Sequence, residues 1–348
     1  STGGNPNSTV RPCRISITGN TIYGQATYDA DGAGRGILVI GSEAVSITGN
    51  TIGDTFSDGI AIYKDSLGSN FRPRNITVSG NTIRRAGQVG DVTQPRKGVR
   101  LSGVDYITVS DNTISDSHED GIHVTDATTT VINANSIHHN GTSCTALDAH
   151  FGVNLSGDST LLDVVGCVVE GNAITLNAAG GVRNYYTNRC RIDGNVCADN
   201  GEAGDGTLAV SAGIYMRGNG RFFASGNNCY ETRLTTARRQ ANGIRLESGV
   251  NPALLTLIGN YTDGHPGPNI NISATPALYL KRGNYESGTP ASNYDVEIGG
   301  VRSYAGTGTP EGVVTAPVGS KFSRSDGGAG TSLYVKETGS GNTGWVGK

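Results

Sequence analysis

The octapeptide VSITGNTI, residues 45–52, alternates apolar and polar side chains and then breaks at Gly-Asn. ISITGNTI at 15–22, ITVSGNTI at 76–83 and ITVSDNTI at 107–114 repeat it. Looser copies follow as TVINANSI (130–137), CVVEGNAI (167–174), CRIDGNVC (190–197), FFASGNNC (222–229) and LTLIGNYT (255–262). The pivotal Asn falls at 20, 50, 81, 112, 135, 172, 195, 227 and 260, so the shortest unit is 23 residues and longer ones carry insertions. A second strand recurs between the copies, each time headed by glycine: GILVI (36–40), GIAIY (59–63), GVRLS (98–102), GIHVT (121–125), GVNLS (152–156), GVRNY (181–185), GIYMR (213–217) and GIRLE (243–247).

A unit this short cannot bury a core alone, so its copies must stack. Strands stacked ~4.8 Å apart, each paired with its equivalent in the next coil, give a parallel β-helix. The columns that stacking creates are consistent. Five places before the Asn come Ile15, Val45, Ile76, Ile107, Cys167, Cys190, Phe222 and Leu255; two places after it come Ile22, Ile52, Ile83, Ile114, Ile137, Ile174, Cys197 and Cys229. Both columns are apolar and are assigned to the interior. The Asn residues are assigned to tight turns, their amides bonded to equivalents above and below. Cys167 with Cys190, and Cys197 with Cys229, become stacked neighbours inside the disulfide range, so bonds between them are allowed but not required.

Composition supports an all-β chain. There are 53 glycines in 348 residues without a collagen period, and helical periodicity is nearly absent. The formal net charge of -3 carries no electrostatic footprint for nucleic acid or an anionic membrane. No apolar run approaches the ~18–20 residues of a membrane span, so no insertion is expected. No Cys/His spacing resembles a zinc site, and no cofactor is expected. Calcium between carboxylates is compatible with the composition, although no EF-hand or glycine-aspartate calcium repeat is present.

Chemistry is sought on the Gly-headed strand, where the residue after Ile or Val points away from its apolar neighbours. That column reads Leu38, Ala61, Arg100, His123, Asn154, Arg183, Tyr215 and Arg245; two places before Ile or Val stand Asp58, Lys97, Asp120, Phe151, Gly180, Ala212 and Asn242. The expectation is one exposed ribbon carrying Asp58, Arg100, Asp120, His123, Arg183, Tyr215 and Arg245, with rungs spaced to suit a few sugar rings. Arg forks suit carboxylates and hydroxyl pairs, and Tyr offers a stacking face. The stretch 116–123, DSHEDGIH, places Asp116, His118, Glu119 and Asp120 at the turn into the strand that presents His123; Asp148 and His150 stand one coil later. A hydrolase would use two carboxyl groups, with Glu119 or Asp120 opposite Asp148. A lyase would use His123 or His150 as base, Arg100 or Arg183 as cation and Tyr215 as acid. The bland alternatives are an Asp that shapes a turn before Gly, as at Asp58, and a solvated Arg face. His138 and His139 are read as solvent-facing.

The GI…ITVSGNTI coil resembles the right-handed parallel β-helix of the pectate-lyase-like superfamily over roughly residues 10 to 285. That superfamily includes lyases, hydrolases, uronan epimerases and non-catalytic fibres. Residues 312–348 leave the coil pattern and resemble a C-terminal segment of bacteriophage tailspike and tail-fibre proteins, through Ala316 to Ser320, Asp326 to Gly328, Leu333 to Lys336 and Asn342 to Trp345. DSHE at 116–119 is similar to the DPHE motif of mannuronan C5-epimerases, with Ser117 in place of Pro. The resemblance implies a homotrimer of the virion tail that binds and depolymerises a bacterial surface polysaccharide. A non-catalytic receptor-binding fibre and a secreted lyase or epimerase are the alternatives. The domain expectation is a β-helix over 1–285, a transition over 286–311 and a small β segment over 312–348 tied to trimerisation or glycan binding. Because the chain enters the repeat almost at once, the usual N-terminal cap is expected to be missing and the chain to be a piece of a longer protein.

Overall fold

The computed structural model describes residues 13–24, 34–65, 71–87, 96–142, 150–202, 211–234, 239–247, 251–274, 276–286, 296–298 and 300–348. Each coil has three strands where the repeat suggested two. The Gly-headed strand, for example Ile122–Thr128, runs into the alternating strand (Val131–Asn133 in that coil), and a short third strand (Ser136–His138) follows the Asn turn. The third strands form their own ten-stranded parallel sheet, from Thr21–Tyr23 to Tyr285–Glu286. The apolar residue at its centre, two places after the Asn, is what the sequence column had marked.

Register follows the columns. Ile15 pairs with Val45, Ile76 with Ile107, and Cys190 with Phe222, which pairs with Leu255. Ile52, Ile83, Ile114, Ile137 and Ile174 are buried in one continuous core with Cys197 and Cys229. A fully buried aliphatic side chain contributes about 2 kcal/mol, so the vertical rows are the main source of cohesion. Cys13, Cys167, Cys190, Cys197 and Cys229 are all free thiols, and Cys144 lies outside the described residues.

The Asn residues form the ladder that the sequence implied. Each receives at Oδ1 both the backbone N–H and Nδ2 of the Asn one coil earlier, as Asn172 does from Asn135 at 2.9 Å each. Its own Nδ2 also reaches the carbonyl of Ile132, in the coil before. The row extends one coil beyond the repeat read from sequence, since Asn284 accepts from Asn260. The residue before each Asn is left-handed, which Gly allows without steric penalty. Asp111 (φ 56°) and Ala134 (φ 55°) are non-glycine residues held in the same conformation.

A second ladder, missed in the sequence, runs five residues after the first up to Asn200 and thirteen after it at Gln240. Asn140 accepts from Ser117 N–H, Asn177 from Asn140, Asn200 from Asn177, and Gln240 from Asn200. Ser117 of the DSHE stretch is thereby a structural rung.

After the last coil, strand Val296–Ile298 pairs antiparallel with Tyr279–Arg282 and leads into Val301–Gly306, Lys321–Arg324, Leu333–Lys336 and Trp345–Gly347. Their core is Tyr304, Val314, Ala316, Phe322, Tyr334 and Trp345. Trp345 Nε1 donates to the Val314 carbonyl at 2.8 Å. The residues behind the C-terminal resemblance are largely those that build this unit: Ala316, Ser320, Tyr334, Lys336 and Trp345 are all buried.

Candidate functional site

The wall formed by the Gly-headed strands holds the candidate residues. Ala61 pairs with Arg100, Arg100 with His123, His123 with Asn154, Asn154 with Arg183, Arg183 with Tyr215 and Tyr215 with Arg245. Stacking therefore brings together Arg100, His123, Arg183, Tyr215 and Arg245, which lie up to 145 residues apart in sequence.

The ribbon is not uniformly exposed, and here the expectation is corrected. Asp58, Asp120 and Tyr215 are 0%, 2% and 1% exposed, so they lie beneath the surface of the wall. Arg100, His123, Arg183 and Arg245 stay partly open. Asp58 accepts the Lys97 N–H at 3.0 Å and the Tyr63 hydroxyl at 2.8 Å, which ties one loop to the next coil. Burial and the Asp58 carboxylate both push the Tyr63 phenol well above its usual range. Tyr215 is no open stacking platform. It packs on Phe151, with ring centroids 6.2 Å apart, and its hydroxyl donates to Glu247.

Asp120 does two things at once. Its Oδ1 accepts the Phe151 N–H at 2.7 Å, as Asp58 does from the equivalent residue of its own next coil. Its Oδ2 lies 2.6 Å from His123 Nδ1 and accepts from Asn154 Nδ2 at 3.1 Å. Burial alone would raise its pKa, but the His123 hydrogen bond, with the charges of His123, Lys97 and His150, holds it down to about 2. An ionised carboxylate only accepts, so the imidazole carries a proton on Nδ1, and in the neutral ring Nε2 is the nitrogen with the lone pair. Nε2 has no hydrogen-bond partner among the described residues.

Around this pair stand further charged groups. Glu119 is ion-paired with Lys97. His118 is held below the ordinary histidine range by burial and by the Arg96 charge. His150 is buried near enough to act on both Asp120 and His118. Asp148 lies outside the described residues. Asp116 turns away: Ser115 donates to it at 2.8 Å, and Arg84 lies 3.5 Å from it. His138 and His139 contact each other, with ring nitrogens 3.1 Å apart.

The Arg residues are the other half of the site. The Nε atoms of Arg100, Arg183 and Arg245 are buried with no hydrogen-bond acceptor among the described residues. Arg100 lies over the Tyr63 ring at 5.3 Å and Arg183 over Tyr185 at 3.9 Å. Burial lowers the pKa of both Arg183 and Arg245. Partly buried cations with no carboxylate in ion-pair range are costlier to hold than exposed ones. Among the described residues no group of three or more His, Cys, Asp or Glu is placed to hold a metal, and no helix is long and apolar enough to cross a membrane.

Sequence reasoning placed Asn154 and Lys97 on the wall without giving them a role, and it missed Tyr63, Tyr185, Arg217 and Glu247. The last three stand two residues after Arg183, Tyr215 and Arg245. The period of two that marked the first column therefore also marked theirs.

Residues 5–161 match the family model described as the right handed beta helix region. No curated protein matches the sequence. Among solved structures, the chain is similar to the A-module of the mannuronan C-5 epimerase AlgE4 of Azotobacter vinelandii, at 16% identity and TM-score 0.39, over 71% of this chain and 65% of that one. It is also similar to PfbA, a surface adhesin of Streptococcus pneumoniae, at 13% identity and TM-score 0.49, over 82% of this chain and 77% of that one. A third likeness is the Dettilon tailspike protein, at 13% identity and TM-score 0.42, over 76% of this chain and 56% of that one. With its coils in register and its strands parallel throughout the stack, the chain is an all-β, single-stranded right-handed parallel β-helix that ends in a small β unit.

Proposed function

We propose that the chain binds an acidic bacterial surface polysaccharide along the Arg100–Arg245 wall and cleaves it by β-elimination, as the homotrimeric depolymerase of a bacteriophage tail. The observation that carries the reading is His123, fixed by Asp120 at Nδ1 and one rung from Arg100, whose Nε has no acceptor among the described residues. His123 Nε2 takes the proton from the carbon beside a uronate carboxylate. The electron pair moves toward that carboxylate, whose growing charge Arg100 stabilises. The C–O bond on the next carbon then breaks, and its oxygen leaves with a proton from solvent. One product carries a C=C bond conjugated to its carboxylate.

The same geometry disfavours hydrolysis by Glu119 and Asp120. That mechanism needs one carboxyl group to hold a proton and another to stay free. Asp120 is ionised and engaged by three donors, and Glu119 is committed to Lys97. Assignment to a phage tail is supported by the resemblance over residues 316–345 and by the compact unit those residues build.

The test is incubation of the chain with a panel of acidic capsules, exopolysaccharides and O-antigens. The expected result is ultraviolet absorbance of conjugated uronates, reduced by roughly 100-fold or more in His123→Gln. New reducing ends without that absorbance mean hydrolysis, and saturable binding without product means a receptor-binding fibre. Unchanged turnover in His123→Gln overturns the assignment.

A further inference from the structure

The wall continues past His123 into a patch that the elimination step does not use. Three successive coils each supply two positions on one face: Arg183 and Tyr185, then Tyr215 and Arg217, then Arg245 and Glu247. Register places Arg183 beside Tyr215, Tyr185 beside Arg217, and Tyr215 beside Arg245. With rungs ~4.8 Å apart and same-face residues ~7 Å apart along a strand, the six side chains make a checkerboard roughly 10 Å tall.

Three guanidiniums here stand with one carboxylate, Glu247, and the buried Asp120 also acts on Arg183. Glu247 lies 3.3 Å from Arg217 and also takes the Tyr215 hydroxyl. Arg183 and Arg245 have no carboxylate within ion-pair reach among the described residues, and the Nε atoms of all three arginines are buried without an acceptor. The Tyr185 ring has the Arg183 guanidinium at 3.9 Å and that of Arg217 at 5.5 Å. A ring face attracts cations but carries no net charge, so two positive groups share one neutral neighbour. Burial lowers Arg183 and Arg245 and raises Glu247; the Asp120 and Glu247 carboxylates pull Arg183 the other way, whereas Arg245 has burial alone acting on it.

We infer that this checkerboard is a second anion subsite, which takes an oxyanion substituent of a sugar that is not being cleaved. The inference rests on the polysaccharide reading above and extends it to charge spacing. Arg183 lies two rungs, ~10 Å, from His123, so the wall selects a polymer whose acidic groups recur over that distance. The incoming oxyanion takes the free N–H groups of Arg183 and Arg245, and Glu247 holds Arg217 in place beside them. A neutral polymer leaves the patch unpaired.

The test uses inorganic sulfate as the probe, at ionic strength held constant with potassium chloride. The Nε–Hε signals of Arg183, Arg217 and Arg245 are followed by NMR, with Arg324 as a remote control. The expected result is a saturable shift of those three signals and about 10-fold weaker sulfate binding in Arg245→Gln and in Arg217→Gln. Unchanged thermal midpoints show that the variants fold. Absence of a shift, a shift shared equally with Arg324, or full sulfate affinity in both variants overturns the subsite. Sulfate binding without cleavage of any polysaccharide leaves the subsite standing and removes the depolymerase reading. Cleavage without sulfate binding does the reverse.

Discussion

Asp120 joins fold and chemistry in one side chain. It closes a backbone N–H of the following coil and orients the imidazole proposed as base. Its folded pKa of about 2 lies below the ordinary 3.8. A depressed carboxylate stabilises the fold above its unfolded value, and that contribution disappears as pH falls through the folded one. The gap corresponds to about 2 kcal/mol. Urea unfolding between pH 5 and pH 2 is therefore expected to show a steeper loss of stability in the native chain than in Asp120→Asn, by about that amount; parallel slopes would refute the role. The sequence exposed the position of Asp120 because Asp58, Lys97, Asp120 and Phe151 occupy equivalent places in successive coils. Its burial was not legible, since that depends on loops that obey no period.

The Asn ladder and the apolar rows are repeated elements, and repetition is why they could be read from one chain. Each coil states the same turn, so the copies check one another. The third strand was less legible because three residues are too few to show alternation. The second ladder was hidden for a related reason: its members are Ser117, three Asn residues and Gln240, so identity is not kept although the hydrogen-bond role is. In the first ladder, Asn172→Ala removes the acceptor of the buried Asn135 N–H and the Nδ2 donor to the Ile132 carbonyl, while Asn135 Nδ2 keeps the Val109 and Asn133 carbonyls. The expected loss is about 3 kcal/mol or more in denaturant unfolding. Asn20→Ala, in the exposed first described coil, is expected to cost under about 1 kcal/mol. Equal losses at both positions would mean that the ladder does not carry the stability assigned to it.

For the whole molecule, the proposed tail function requires an assembly of three. Light scattering on the purified chain is expected to give three times the 35.9 kDa chain mass, and a stable monomer at micromolar concentration would remove the trimer from the proposal. The site was legible at this scale only as a list of neighbours on a wall. Which members are roofed, and which arginines lack a counter-charge, came from three-dimensional packing. The ladder also gives the molecule a direction. In its Asn-to-Asn contacts the donors always point toward the coil made later, and the side-chain oxygens toward the coil made earlier. A growing chain leaving the ribosome thus always presents unfilled donors at its newest edge, and the next turn to emerge brings the matching oxygen. Assembly by accretion in the order of translation follows from that polarity, and two such stacks could join end to end only head to tail.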